Sequence, residues 1–203
     1  MKLFSEVKLK ELSLTSRIVM APLTRRRATK LHVPVPIMED YYAQRASAGL
    51  IIAEGCSPSP NGAGYSNMPG LYNEEQKTAW KLITEKVHAK GGKIAPQLWH
   101  VGSVRKEGVE PDPSVPGHSP SGLFMPGKPN GIAMSQQDID DVIEAFAQAA
   151  ADAKEIGFDG VEVHGAHGYL IDQFFWGDLN ERTDKWGGNL QERTRFAVEI
   201  VKA

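Results

Sequence analysis

Four times along the chain a short apolar segment is followed by a polar break and a stretch with helical spacing, and this alternation leaves few folds open. The apolar segments are Arg17–Leu23 (RIVMAPL), Leu50–Gly55 (LIIAEG), Lys93–His100 (KIAPQLWH) and Gly160–His164 (GVEVH). Continuous apolar runs of this length suit strands covered on both faces, as in a parallel sheet. Helices are expected at 37–48, opened by Pro36 and stopped by Gly49, and at 74–90, with Trp80, Ile83 and Val87 on one face and Gly91-Gly92 as the stop. A third is expected from the capping pair Ser135 and Asp138 to Gly157, with Ile139, Val142, Ile143, Phe146, Ala150 and Ala153 as its stripe, and a fourth from Asn189 to Ala203. Val7, Leu9, Leu12 and Leu14 predict a small hairpin ahead of all this.

Parallel strands joined by helices take right-handed crossovers and build an α/β sheet. A closed (β/α)8 TIM barrel needs eight such units and about 250 residues. The 203 residues here carry four. The expected fold is therefore the N-terminal hairpin and the first four βα units of a TIM barrel, one domain over 1–203, with two strand edges open.

Charge and cysteine usage narrow the function. With a formal net charge of −2 the chain lacks the positive field that nucleic acid or an anionic membrane would need, so a small-molecule partner is expected. One cysteine, Cys56, allows no internal disulfide and no iron–sulfur cluster. The charged start MKLFSEVKLKEL does not read as a signal peptide, so a cytoplasmic location is expected.

In a parallel α/β sheet the working residues gather where the strands end at their carboxyl termini. Strand one ends in Ala21-Pro22-Leu23-Thr24, strand two in Ala53-Glu54-Gly55, strand three in Gln97-Leu98-Trp99-His100, and strand four in His164 followed by Gly165-Ala166-His167-Gly168-Tyr169. Alternation along GVEVH sets Glu162 and His164 on one face and the two valines on the other, so His164 looks into the site if the valines meet the helices. The glycines around Ala166 permit a tight turn that brings His167 and Tyr169 to the same side. Two imidazole N–H groups can polarise one carbonyl oxygen while a phenol stands ready as an acid, a constellation suited to reduction of an activated C=C bond.

At these residues the sequence resembles a known family. MAPLTR, YYAQRASAGLIIAEG, QLWHVG, HGAHGYL and NERTDKWGG, in this order, resemble the Old Yellow Enzyme family of FMN-dependent oxidoreductases over essentially the whole chain. The resemblance implies that Pro22, Leu23 and Thr24 line non-covalently bound FMN, that Ala53 offers it backbone, and that Gln97 bonds its pyrimidine edge. It implies that His164 and His167 hold the substrate carbonyl, that Tyr169 protonates the substrate carbon, and that Trp99 forms pocket wall. Threonine at Thr24, where another branch carries cysteine, places the chain nearer the yeast and enteric-bacterial ene reductases. The implied reaction passes reducing equivalents from NADPH or NADH through FMN to an α,β-unsaturated carbonyl, nitroalkene or nitrate ester. The family's later strands supply an arginine near the flavin and the phosphate-binding loops, and those positions are absent from this chain.

Other readings stand beside these. The histidines at i, i+3 could be a structural pair or metal ligands, though no third ligand sits at a familiar spacing. Arg25-Arg26-Arg27 reads as a solvated loop rather than a phosphate site, Asn180–Asp184 as a turn capped by its own side chains, and Val101–Met134 as a long loop forming a lid or substrate rim. A non-catalytic half-barrel that pairs with a second copy or with a C-terminal half-barrel is the main alternative function. A barrel lyase or isomerase would need no flavin, but the chain offers no Schiff-base lysine or metal cage.

Overall fold

The computed structural model describes residues 2–203. Strands β1 (Val7–Leu9) and β2 (Leu12–Leu14) form the expected antiparallel hairpin, with Val7 opposite Leu14. Strand β3 (Val19–Met20), helix α1 (Pro36–Ala43), strand β4 (Leu50–Cys56), helix α2 (Glu74–His88) and strand β5 (Ile94–Leu98) follow. Short strands β6 (His118–Ser119), β7 (Leu123–Met125), β8 (Lys128–Pro129) and β9 (Ile132–Ala133) precede α3 (Gln136–Glu155) and β10 (Glu162–Val163). Helices α4 (Leu170–Phe175) and α5 (Leu190–Lys202) complete the chain. The main sheet runs β10-β5-β4-β3, all parallel, so each strand lies beside its predecessor in the βα series as in an opening barrel.

Apolar burial on the helix side holds this scaffold. Trp80, Ile83 and Val87 of α2 and Ile139, Val142 and Phe146 of α3 pack with Ile51, Ile94 and Leu98 of the strands in one core. Each large side chain withdrawn from water contributes about 2 kcal/mol or more. Helix α2 is opened by the Asn73 side chain, which accepts the Gln76 N–H, and closed by Gly91 at φ 76°. Ser135 with Asp138, and Asn189 with Glu192, make reciprocal capping boxes for α3 and α5.

Several sequence expectations need correction. The segment 17–23 is not a buried strand. Only Val19–Met20 pair, and Ile18, Val19 and Leu23 are exposed because β3 is the sheet edge. Helix α1 stops at Ala43, and the chain to Ala48 continues in tighter i→i+3 turns. Gly49 therefore does not end a helix. It lets the backbone pass the Ser16 carbonyl, which a Cβ would meet at 2.2 Å. The buried stripe of α3 runs through Ala149, with Ile143 and Ala150 only partly covered.

The segment 101–134 is not a structureless loop. It holds a 3-10 turn at Gly102–Val104 and two small two-stranded sheets, β6-β9 and β7-β8. Its organiser is Arg105, 1% exposed, whose guanidinium donates to the carbonyls of Val115 (2.9 Å), Val109 (2.7 Å), Asp112 (2.7 Å) and Ala63. One buried cation thus satisfies the carbonyls of 109–115, a part of the stretch that belongs to neither sheet. Arg182 ties the rim to the far side by donating to Pro120 O at 3.0 Å. Asn180 donates to the Phe174 and Trp186 carbonyls, so the NERTD turn is structural as expected.

Candidate active site

The turn after β10 builds the centre of the site. His164 lies one residue beyond the strand, its N–H bonded to Leu98 O at 3.0 Å. Its Nδ1 accepts the Ala166 N–H at 3.3 Å. A ring nitrogen that accepts carries no proton, so the neutral imidazole bears its hydrogen on Nε2 and presents it as a donor. Burial, then the neighbouring His167, lowers its pKa and keeps it neutral near pH 7.

His167 (φ 62°) and Gly168 (φ 73°) both adopt the left-handed conformation, which is uncommon for a histidine. The pair reverses the chain and brings the two imidazoles edge to face, 5.2 Å between centroids. Two residues that the sequence did not single out hold this turn. Asp172 Oδ2 accepts the Gly168 N–H and Gln173 Nε2 donates to Gly168 O, each at 2.7 Å. Both sit on α4, the helix not foreseen in the polar stretch after HGAHGY.

Tyr169 stands against this pair, 5.1 Å from the His164 ring, and edge-on to Trp99 at 4.8 Å. Trp99 stacks on His164 at 5.8 Å on the same side. Gly55 permits this, since a Cβ there would lie 2.1 Å from the indole. Burial, with the Tyr65 hydroxyl adding to it, raises the Tyr169 phenol well above its ordinary pKa, so it is a protonated acid at neutral pH.

The other expected residues occupy the strand ends beside this cluster. Gln97 faces Glu162 in register, and partners in a parallel pair point to the same side, so both share the face of His164. The Gln97 amide finds no hydrogen-bond partner among the described residues, and Glu162 Oε2 is buried without one. Ala53 is fully covered, in the irregular part of β4 between Ile52 and Gly55, and nothing of it is exposed to the site.

Pro22, Leu23 and Thr24 lie on the segment after β3, across β4 and β5 from the histidines, with Leu23 and Thr24 exposed. They do not touch the histidine cluster. Glu54 belongs to the frame instead. It accepts the Arg25 N–H at 2.9 Å and the Tyr42 hydroxyl at 3.0 Å, and burial raises its carboxyl pKa. His100 is likewise structural, fully buried, with Nδ1 accepting the Gly102 N–H at 3.1 Å.

Of the arginine run, Arg26 bonds Ser66 O at 3.1 Å. Among the described residues no three His, Cys, Asp or Glu side chains are placed to hold a metal, and no helix is long and apolar enough to cross a membrane. A groove of about 880 Å³ runs along β3 and α1, between Ile18, Tyr41 and Arg45, and shares only Leu23 with the expected site.

An open run of parallel strands with two imidazoles and a phenol gathered at its carboxyl edge is one part of a (β/α)8 barrel, with the polar residues at the end where such barrels place their sites. Comparison with known proteins gives the family. Residues 2–203 match the model of the NADH:flavin oxidoreductase / NADH oxidase family, and the chain belongs to this family, that of Old Yellow Enzyme. It is 43% identical to 12-oxophytodienoate reductase 7 of Oryza sativa subsp. japonica, with 99% of the chain and 54% of that protein covered. It is 46% identical to chanoclavine-I aldehyde reductase fgaOx3 of Penicillium roqueforti (strain FM164), with 100% and 56% covered. The structure of morphinone reductase in complex with tetrahydroNAD superposes with a TM-score of 0.93 at 43% identity, over 100% of this chain and 60% of that one. The chain spans about half the length of the curated relatives it matches.

Proposed function

We propose that this chain carries the substrate-binding and proton-donating part of an FMN-dependent oxidoreductase that uses NADPH or NADH to reduce activated C=C bonds. The observation that supports it most is the cluster of His164, His167 and Tyr169 against Trp99, with His164 Nε2–H turned into a donor by the Ala166 bond. The relatives named as a 12-oxophytodienoate reductase and a chanoclavine-I aldehyde reductase, and the morphinone reductase in complex with tetrahydroNAD, point the same way.

The residues fit the cofactor. Gln97 has an unspent amide on the site face and Thr24 an exposed hydroxyl on the other flank, donors and acceptors of the kind a flavin pyrimidine edge requires. Pro22 and Leu23 beside Thr24 would line the same flank, whereas Ala53 is fully covered and would reach the ring only if its surroundings shifted. When bound, FMN supplies the hydride that NAD(P)H has given it. His164 and His167 hold the substrate oxygen and draw electron density from the alkene. Tyr169 gives its proton to the carbon that does not receive hydride. Trp99 walls the pocket and keeps water from the enolate.

The test is spectral and kinetic. Purified protein should carry yellow flavin absorbance and oxidise NADPH when cyclohexenone is added, and His164→Ala should raise KM for the enone about tenfold or more through loss of a carbonyl donor. Absence of flavin and of enone-dependent oxidation that persists when a C-terminal half-barrel is supplied ends the reading. The bare edges of β3 and β10 support a second one, in which flavin binds only after another polypeptide pairs with them. Sedimentation of the flavin-free protein separates the two, since a stable dimer favours pairing.

A further inference from the structure

Tyr65 stands at the site although no sequence motif marks it. Its ring stacks on Trp99 with centroids 5.5 Å apart, and its hydroxyl lies 3.2 Å from that of Tyr169, 104 residues away in sequence. Its segment is anchored at both ends. Arg105 binds Ala63 O, Arg26 binds Ser66 O, and Asn67 exchanges bonds with Ala28 through its side chain (2.8 Å) and its carbonyl (3.1 Å). Gly64 passes so near Val101 that a Cβ would sit 2.3 Å from it. This much structure fixes a ring, and stacking alone would be served equally by phenylalanine.

What phenylalanine lacks is the hydroxyl, and the hydroxyl meets the proton donor. We propose that Tyr65 is a positioning residue for Tyr169: it fixes the phenol against Trp99 and donates a hydrogen bond to the oxygen when Tyr169 gives up its proton. The proposal rests on the reading of the site as a reductase of activated alkenes. In the step concerned, the Tyr169 O–H bond breaks and a C–H bond forms from the electron pair of the substrate enolate. The O–H electron pair stays on the phenolate oxygen. While Tyr169 keeps its proton and donates it to Tyr65, the bond holds the phenol in its acid form; once the proton has left, the Tyr65 O–H turns to the phenolate oxygen, and a bond to a charged acceptor is about twice as strong as a neutral one. Solvent then returns the proton to Tyr169.

The experiment is a double-mutant cycle on the flavin-loaded protein with Tyr65→Phe, Tyr169→Phe and both together, read with NADPH and cyclohexenone. In Y65F, kcat should fall about tenfold, the scale of one charge-assisted bond, with KM nearly unchanged. In the Y169F background the same change should cost nothing further. Full activity of Y65F, or losses that multiply in the double variant, overturns the role of Tyr65. Ferricyanide, which accepts electrons without carbon protonation, separates that failure from a wider one. If wild-type protein with NADPH cannot reduce ferricyanide, the reductase reading falls and the role of Tyr65 with it. A second cycle, on flavin-free protein, reads melting temperature. A genuine bond makes the two single losses non-additive, and additive losses overturn the proposal.

Discussion

The helix side of the sheet and its carboxyl edge are built by opposite means. Behind the sheet, α2 and α3 bury Trp80, Ile83, Ile139 and Phe146 in one apolar core. At the edge, the rim from Val101 to Met134 has little apolar core. It is held by Arg105, by Asn130 donating to Arg105 O at 3.1 Å, and by Ser103 donating to Leu123 O at 2.7 Å. A hydrophobic core tolerates changes of conditions and fails on loss of volume, whereas a polar frame fails when one donor is lost or one group takes a proton. The proposed chemistry lies on the polar side, and the frame reaches it through Ser103, whose N–H donates to Gln173 Oε1 while Gln173 Nε2 holds the Gly168 carbonyl.

The sharpest way to break the scaffold is Trp80→Ala. The indole is fully buried, tilts against Tyr42 and Phe158, and donates to Gly70 O at 3.1 Å. Its removal leaves a large cavity and an unpaired carbonyl, and about 3–5 kcal/mol of stability should be lost. Urea denaturation would show it as an early, global transition. If unfolding instead began in the rim while the sheet persisted, the division between the two regions would be misplaced.

Arg105→Met tests the other side. Its stem volume is kept, but the carbonyls of Val109, Asp112 and Val115 lose their donor, and a loss of about 2–3 kcal/mol is expected. The effect should be local. Proteolysis within 106–116 and amide exchange across the rim should rise well before the helices are affected. Uniform loss of protection across α2 and α3 would show that the rim and the scaffold unfold as one unit.

The same division explains what the sequence made legible. Caps and apolar stripes are local signals, so Ser135, Asn189, Gly91 and the faces of α2 and α3 could be read directly. The edge position of β3 could not, because exposure depends on which strands become neighbours and not on RIVMAPL itself. His164, His167, Tyr169 and Trp99 were legible as a group, and the structure gathers them. Ala53 is covered, and Pro22–Thr24 lie on the opposite flank. Arg105 was hidden in Pro- and Gly-rich sequence because its partners are backbone carbonyls, which leave no trace in residue type. Tyr65 was hidden because its partner is 104 residues away, although an aromatic between the glycines and serine of GAGYS was a signal that could have been followed.

Acid is the gentlest probe of the difference, because it reaches buried histidines in the polar frame before it reaches any group in the core. His32 and His100 flank Arg105 electrostatically, and burial first of all lowers their pKa values from 6.5 to about 4 and about 3. His100 Nε2 and both His32 nitrogens are buried without partners, so protonation would place charge where nothing receives it. The native pKa lies below the unfolded one, so stability is complete above pH 6.5. Below pH 6.5 the unfolded chain takes up protons that the native chain refuses, until pH reaches about 4 and about 3. By pH 6 the two histidines together should cost about 1–2 kcal/mol. Asp138 and Asp159, with lowered carboxyl pKa values, lose their contributions only at more acid pH, whereas the raised carboxyl of Glu54 works in the opposite direction. Urea midpoints measured from pH 7.5 to 5.5 should therefore fall in the wild type and fall less in His32→Gln, with rim exchange rising first. A flat profile across this window would mean that the native state opens enough to solvate these rings, and that the polar frame is looser than its hydrogen bonds indicate.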